Sequence, residues 1–384
     1  MKTLLQIIIF LFSMISTFSQ DSSKASKKIT LNGYFKDMQT LTFDKNFKDL
    51  VSGNLFHNRI NFKWKPSKKI TVATEFRNRL FWGEEVKQTP DFSSQLQNEN
   101  EKINLQIIWI DNGSVVLHTN TERLYFDYRD DKINFRIGRQ RINWGTATTW
   151  NPNDIFNAYN FLDFDYEERP GMDGGKFRYA FNTSSNMEFA WTYSGEKNKS
   201  IGAVKYSFNK WNYDMQFIGG WYNEHLTLGS GWAGYIKDAG FKGELQYFMR
   251  NKDSAGHFNL SLESDYMFKK GWYMGLGFLF NSNGLYQPVT SWDSIDLKIS
   301  PQNLMPTKLN FIVTSAKEVT PLLSANLSVV YAPGTNLLIL FPSIQYNIAA
   351  NIDVNLVWQS FFSDTGSQFE AINHQCFLRF KWSF

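Results

Sequence analysis

Arginine recurs through the first half of the chain at positions that alternate with large apolar side chains: Arg59, Arg77, Arg79, Arg123, Arg129, Arg136 and Arg178. A guanidinium stays charged and presents a rigid fork of donors, so a row of them in a wet interior attracts anions. Turned toward hydrocarbon, each would cost about 2 to 4 kcal/mol at a bilayer midplane, so the alternation directs them inward. Two readings of the row stay open: a basic wall facing solute, or cross-strand pairing with Glu75, Asp127, Glu244 and Glu263. Arg139 and Arg141 adjoin the set where the strand pattern ends, and the sequence does not assign their phase.

The opposite charge gathers in residues 145–173. Asp154, Asp163, Asp165, Glu167 and Glu168 are interleaved there with Phe156, Tyr159, Phe161, Phe164 and Tyr166. Solvated tips are usually poor in aromatics, so this composition argues for an ordered segment. Folded inward, its carboxylates would face the arginine row and set a transverse field at a constriction; folded outward, it would cap the molecule. The carboxylates lack the spacing of a calcium-binding EF-hand loop.

Enzymatic chemistry has little to work with. Five histidines are present: His57 falls in mid-strand, His118 near a strand start, and His225, His257 and His374 in or beside connections. None has a recognisable nucleophile motif beside it. The sequence carries no Cys/His metal constellation and no phosphate-binding glycine loop. The expectation is a protein without catalytic residues, resident metal or cofactor.

The elements that would position these residues are strands. Ile70 to Trp82 alternates Ile70, Val72, Thr74, Phe76, Asn78, Leu80 and Trp82 with Thr71, Ala73, Glu75, Arg77, Arg79 and Phe81. The same grammar runs through Phe56 to Trp64, Phe258 to Phe268 and Trp272 to Asn281. Many runs reach about ten residues, the length a tilted strand needs to cross a bilayer, against about five or six in soluble sheets. Counting them predicts an all-β, antiparallel up-and-down transmembrane barrel of about 18 strands, with 16 or 14 if some segments are loops.

Composition agrees. Aromatic residues make up 17% of the chain, with 35 Phe, 17 Tyr and 13 Trp, yet the mean hydropathy is negative. No second long apolar run exists, which excludes a helical membrane protein, whereas a barrel hides its apolar residues at every second position. Residues 1–20 read as a secretory signal: Lys2, then an apolar stretch from Leu4 to Ile15, then the small residues Thr17 and Ser19. Residues 21–384 then form one barrel with long outer loops. The sole cysteine, Cys376, leaves export without intramolecular disulfides. A net charge of +4 is too small at this length to suggest a nucleic-acid partner.

Turn-like segments at 65–69, 129–132, 182–186, 209–211, 237–240, 269–271, 318–321 and 349–351 suit the periplasmic side. Longer ones at 83–104, 145–173, 282–306 and 363–375 suit the outside, where 332–335 would be the one short connection. Trp64, Trp211, Trp272 and Trp382 are expected at one rim, and Trp82, Trp144 and Trp221 at the other. The last strand alternates Cys376, Leu378, Phe380, Trp382 and Phe384 with polar residues. It resembles the terminal signal read by the outer-membrane assembly machinery. Too few residues precede the first strand, near Leu31 to Phe43, to build a plug.

Gly138-Arg139-Gln140, Asn143-Trp144-Gly145 and Asn151-Pro152-Asn153-Asp154 resemble the run found in porin-like barrels of the alginate-export type and related outer-membrane families. The resemblance implies an 18-strand barrel whose arginine-rich lumen passes anionic solutes or polysaccharide. The expectation is therefore a Gram-negative outer-membrane pore, monomeric to trimeric, surrounded by lipid and lipopolysaccharide and passing small solutes. The alternative is a non-conducting barrel that binds polysaccharide or organises the surface.

Overall fold

Alternation converts into long strands: β1 (Ile29–Asp44), β2 (Leu50–Trp64), β3 (Ile70–Gly83), β4 (Gln106–Asp111), β5 (Val115–Arg129), β6 (Ile133–Gln140), β7 (Met172–Ala180), β8 (Ser185–Thr192), β9 (Ile201–Lys210) and β10 (Tyr213–Tyr222). They continue as β11 (His225–Ile236), β12 (Ala239–Phe248), β13 (His257–Met267), β14 (Trp272–Asn281), β15 (Leu309–Thr320), β16 (Leu323–Ala332), β17 (Leu337–Ala349), β18 (Ile352–Asp364) and β19 (Phe369–Ser383). Two short helices, α1 (Glu84–Gln88) and α2 (Phe92–Gln95), follow β3. This computed structural model describes residues 28–97, 101–158, 160–163, 165, 170–192, 195, 199–250, 255–288, 298–364 and 368–384. The expected signal segment 1–20 and the loop residues Glu167 and Glu168 lie outside them.

Every wall strand pairs antiparallel with its neighbours, and β1 bonds to both β2 and β19, closing the cylinder. Closure leaves no wall edge to be satisfied in lipid. The wall holds 18 strands, because β4 is an extra one that pairs only with the outer half of β5. The two faces follow the expected parity. In β3, Ala73 and Glu75 are buried toward the lumen while Phe76 is exposed outward. A bulge in β5 opposite Glu75 and Phe76 inserts Glu122, which joins Arg123 on the lumen side.

Turns on the periplasmic side are tight. Trp211 and Asn212 both take positive φ between β9 and β10, the conformation that matches the twist of a two-residue hairpin. The outside differs from expectation in three places. Short outer connections occur at 45–49 and 223–224 as well as 333–336, and the last one spans only 365–368, because the β18–β19 ladder runs from Ile352↔Trp382 up to Asp364↔Phe369. The long outer segments are 84–105, 141–171 and 282–308.

Trp64, Trp211 and Trp272 stand exposed at the periplasmic rim, where Trp382 stacks on Phe35, and Trp221 is exposed at the other end. Trp144 does not belong to that outer row. It is 1% exposed inside the barrel, because the chain turns inward after β6 and carries it along. Two apolar clusters fill the interior beside β7–β17. One joins Ile142, Trp144, Ile155 and Phe156 of segment 141–171 to Ala190, Ala203, Ile218 and Phe248. The other joins Trp150 to Leu304 and Met305 of segment 282–308, and to Leu279, Ile312, Val330 and Ile339. The outer half of the lumen stays open toward β18, β19 and β1–β3, and the periplasmic half along β14–β19.

Candidate functional site: a basic staircase facing an inward loop

Strand register orders the lumen cations by height. Lys36, His57, Arg79 and His118 share the uppermost rung. Arg59 pairs in register with Arg77, one rung below, and Arg123 stands opposite Glu75 below that. Arg136 is opposite Asp127, and Arg129 and Arg178 flank Asn134 near the periplasmic mouth, both solvent-exposed. All seven arginines singled out in the sequence thus sit on the lumen phase of β2–β7, descending from the outer to the inner end.

Partners divide the row. Arg59 donates to Glu75 at 2.6 Å and to Asn61, and Arg136 donates to Asp127 at 2.8 Å and lies over the Tyr125 ring. Arg123 donates to the Glu122 backbone carbonyl at 2.7 Å. Arg77 reaches Glu122 only at 3.4 Å, and Arg79 meets His118 Nδ1 at 3.1 Å. The Nε groups of Arg77 and Arg79 and Nδ1 of His57 are buried with no hydrogen-bond partner among the described residues. Cationic side chains whose donors are incompletely filled on two adjacent rungs make this part of the wall attractive to anions.

Among the described residues Glu244 and Glu263 pair with no arginine, contrary to the cross-strand reading. They grip the inward segment by its backbone. Glu244, on β12, accepts from the amides of Thr146, Ala147 (2.6 Å) and Asn153 (2.8 Å). Glu263, on β13, accepts from Thr148 (2.6 Å) and Thr149 (2.7 Å). Asn153 also bonds the Leu245 carbonyl and Gln216. A Cβ at Gly231 would lie 2.7 Å from Asn153 Oδ1, so the bare backbone of β11 makes this docking possible. Trp144 donates its indole N–H to Glu188.

The tip of the segment crosses to the opposite wall. Asp165 accepts from Lys36 at 2.6 Å and from Arg379 at 3.3 Å, and Gln359 holds the Leu162 carbonyl at 2.8 Å. Asp163 faces open lumen; enclosure by the wall raises its carboxyl above the ordinary value, and Asp165 beside it adds to the shift. Asp154 is not part of this face. It is buried in the stem, where its carboxylate accepts from the Trp144 amide at 3.2 Å.

Two cavities lie on either side of the tip. The outer one, about 690 Å³, is lined by Met38, Leu55, Phe81, Glu85, Asp163 and Asp165 among others. The inner one, about 560 Å³, is lined by Tyr273, Asn326, Gln345, Asn355 and Arg379 among others. The Asp165–Arg379 pair stands between them. Lys36 and Arg379 were not singled out from the sequence, although both sit on the lumen parity of their strands; the signal was present but is shared by many surface cations.

Arg139 leaves the lumen set altogether. It continues the outward parity of Ile133, Phe135 and Ile137, yet is 2% exposed because residues 101–105 fold over it. It donates to Asp173 at 2.9 and 3.0 Å, to Glu101 at 2.8 Å, and to the carbonyls of Thr121 and Ile103. Gly138 before it has φ 116, and a Cβ there would lie 2.3 Å from the Leu124 carbonyl. Ser360 Oγ lies 2.8 Å from His374 Nδ1, but the pair is 4% and 7% exposed, stacked under Phe47, and the hydroxyl also accepts from Trp358. It packs the outer aromatic row.

No family model matches the chain, and no curated protein matches its sequence. The resemblance of residues 138–154 to alginate-export-type barrels therefore finds no support in a sequence family. Solved structures do match. OccAB4 of Acinetobacter baumannii superposes with a TM-score of 0.57 at 10% identity, covering 93% of this chain and 99% of its own. OccK7 (OpdD) of Pseudomonas aeruginosa gives 0.57 at 9% identity over 94% and 99%. The outer membrane protein OprD of Pseudomonas aeruginosa gives 0.59 at 11% identity over 96% and 97%. The closed 18-strand wall, its apolar outer face and this likeness in architecture give the chain the fold of a porin-like outer-membrane barrel.

Proposed function

We propose that the barrel is a channel for small solutes, with a preference for anionic ones and polar saccharides. The observation that carries this reading is the placement of the staircase: the partner-poor donors of Arg77 and Arg79 stand at the height of the tip carboxylates Asp163 and Asp165, between the two lumen cavities. A solute crossing there meets positive charge on one side and negative on the other, a transverse field that orients polar molecules and favours anions where the cations outnumber the carboxylates. On this reading the outward face meets outer-membrane lipid and lipopolysaccharide. The assembly machinery reads β19, whose end is fixed by reciprocal hydrogen bonds between Gly33 and Phe384.

Planar-bilayer recording under a salt gradient tests it. The expected result is discrete conductance steps with a reversal potential on the anion side, shifted toward zero by Arg77→Ala with Arg79→Ala. Absence of steps at any voltage would instead favour a surface-binding barrel, and an unshifted potential would make the two arginines purely structural.

A further inference from the structure

The outward face of β1–β5 differs from that of β8–β18. Across β8–β18 the outward parity of the described residues carries no Asp, Glu, Asn or Gln except Asp364 at the outer end of β18; Val204, Phe217, Leu228, Leu276, Phe311, Leu327, Ile344 and Leu356 are typical. On β1 the same parity carries Asp37 and Gln39, between Phe35 and Leu41. On β2, β3 and β5 it carries Asn58, Asn78 and Thr119, all on one rung.

These side chains bond to one another across the wall. Asn58 donates to the Tyr34 carbonyl at 3.1 Å, Asn78 donates to Asn58 at 3.0 Å, Thr119 donates to Asn78 at 2.7 Å, and Trp109 of β4 donates to Thr119 at 3.0 Å. Gln39 Nε2 lies 3.2 and 3.1 Å from the two oxygens of Asp37.

Depth makes this band unusual. Phe35 stacks on Trp382 in the periplasmic aromatic row, and Phe43 stacks on Trp358 in the outer one. Eight residues of tilted strand separate the two, roughly 19 Å of bilayer height at about 3.3 Å per residue and a tilt near 45°. Asp37 and Gln39 fall inside that interval, where lipid offers no hydrogen bond. At the far edge of this sector, β4 pairs among the described residues only with β5, with Ile107, Trp109 and Ile110 exposed.

We propose that a second copy of this chain covers the β1–β5 sector, so that the band and the free edge of β4 lie in a barrel–barrel interface. Soluble partners and lipid headgroups do not reach this depth, which leaves another membrane-embedded wall. The band holds acceptors (Asp37, the Asn carbonyls) and donors (Gln39, the Asn amides) in one patch, the self-complementarity that a symmetric contact between copies needs. The inference is independent of solute passage, since a lone barrel conducts through its own lumen.

The test uses intact outer membranes and a Cys376→Ala background. Phe56→Cys, within the band, is treated with a short bifunctional thiol reagent, with Leu276→Cys on β14 as the control. The expected result is a product of twice the chain mass at position 56 and none at 276. Native mass spectrometry of the wild-type chain should show an oligomer, lost in Asp37→Leu/Asn58→Leu/Asn78→Leu while heat-modifiable migration reports that the variant still folds. A monomeric wild type, equal crosslinking at both positions, or a crosslink from position 56 to a different polypeptide overturns the proposal.

Discussion

The two halves of the lumen obey different rules. Beside β7–β17 the inward parity carries Ala190, Ala203, Ile218, Phe248, Leu279, Ile312, Val330 and Ile339, and the inward segments 141–171 and 282–308 pack their own apolar side chains on them. Around β18, β19 and β1–β6 the inward parity is mostly polar and the outer cavity stays open, while the inner cavity runs along the periplasmic halves of β14–β19, below the docked segments. Inward parity therefore does not mean wet. Apolar side chains on the lumen face mark where a loop docks, whereas charged ones either line open space, as Arg129 and Arg178 do, or grip the docked loop, as Glu244 and Glu263 do.

The loop 141–171 experiences both regimes. Its stem, 144–153, is held on the packed side by two carboxylates that take five backbone amides, and by Trp144 and Trp150 buried at 1% and 0% exposure. Its tip is held on the open side by the ion pairs of Asp165. A docked stem and an electrostatically held tip should respond differently to substitution.

The largest effect is expected from Glu244→Gln with Glu263→Gln. Hydrogen bonds to a charged acceptor contribute about 1.5 to 3 kcal/mol each, so losing the charge at both grips should weaken stem docking by about 3 kcal/mol or more. Limited proteolysis should then cut within residues 146–153 and channel noise should rise; a resistant loop would mean that the apolar clusters alone hold the stem. Asp165→Asn should act more gently. It leaves the stem docked and takes the negative charge away from Lys36 and Arg379, at a cost of about 1 to 3 kcal/mol for the weakened charged contacts. Larger conductance and stronger anion preference are expected, with unchanged proteolysis.

The smallest effect belongs to pH. Asp163 has a raised carboxyl pKa, through enclosure first and Asp165 second, although lumen water limits the shift. Its neutral form therefore gains ground at a higher pH than for an ordinary carboxylate. Lowering pH removes negative charge from the tip, so anion preference should grow as pH falls, and Asp163→Asn should flatten that slope. An identical slope in the variant would assign the titration to another group.

Much of the architecture was legible in the sequence because a barrel wall writes its parity into every strand. Ile70 to Trp82 and the descending arginines could be phased by alternation alone. The inward course of 141–171 was signalled by its aromatics, but its anchors were not, since Glu244 and Glu263 bind backbone amides, which no side-chain pattern encodes. Trp144 was misplaced because a tryptophan beside a strand end looks the same whether the chain leaves or re-enters the barrel. Arg139 followed alternation outward, but its cover by 101–105 depends on a contact distant in sequence. The inward Gly275, Gly277 and Leu279 broke the polar parity of β14 and, with hindsight, marked a docking face.

The central claim is that the tip of segment 141–171 narrows an otherwise open lumen. Replacing residues 158–168 with a short Gly-Ser linker leaves the Glu244 and Glu263 grips in place and tests that directly by single-channel conductance. The account predicts several-fold larger steps with weaker dependence on solute charge; steps of unchanged size and selectivity would contradict it.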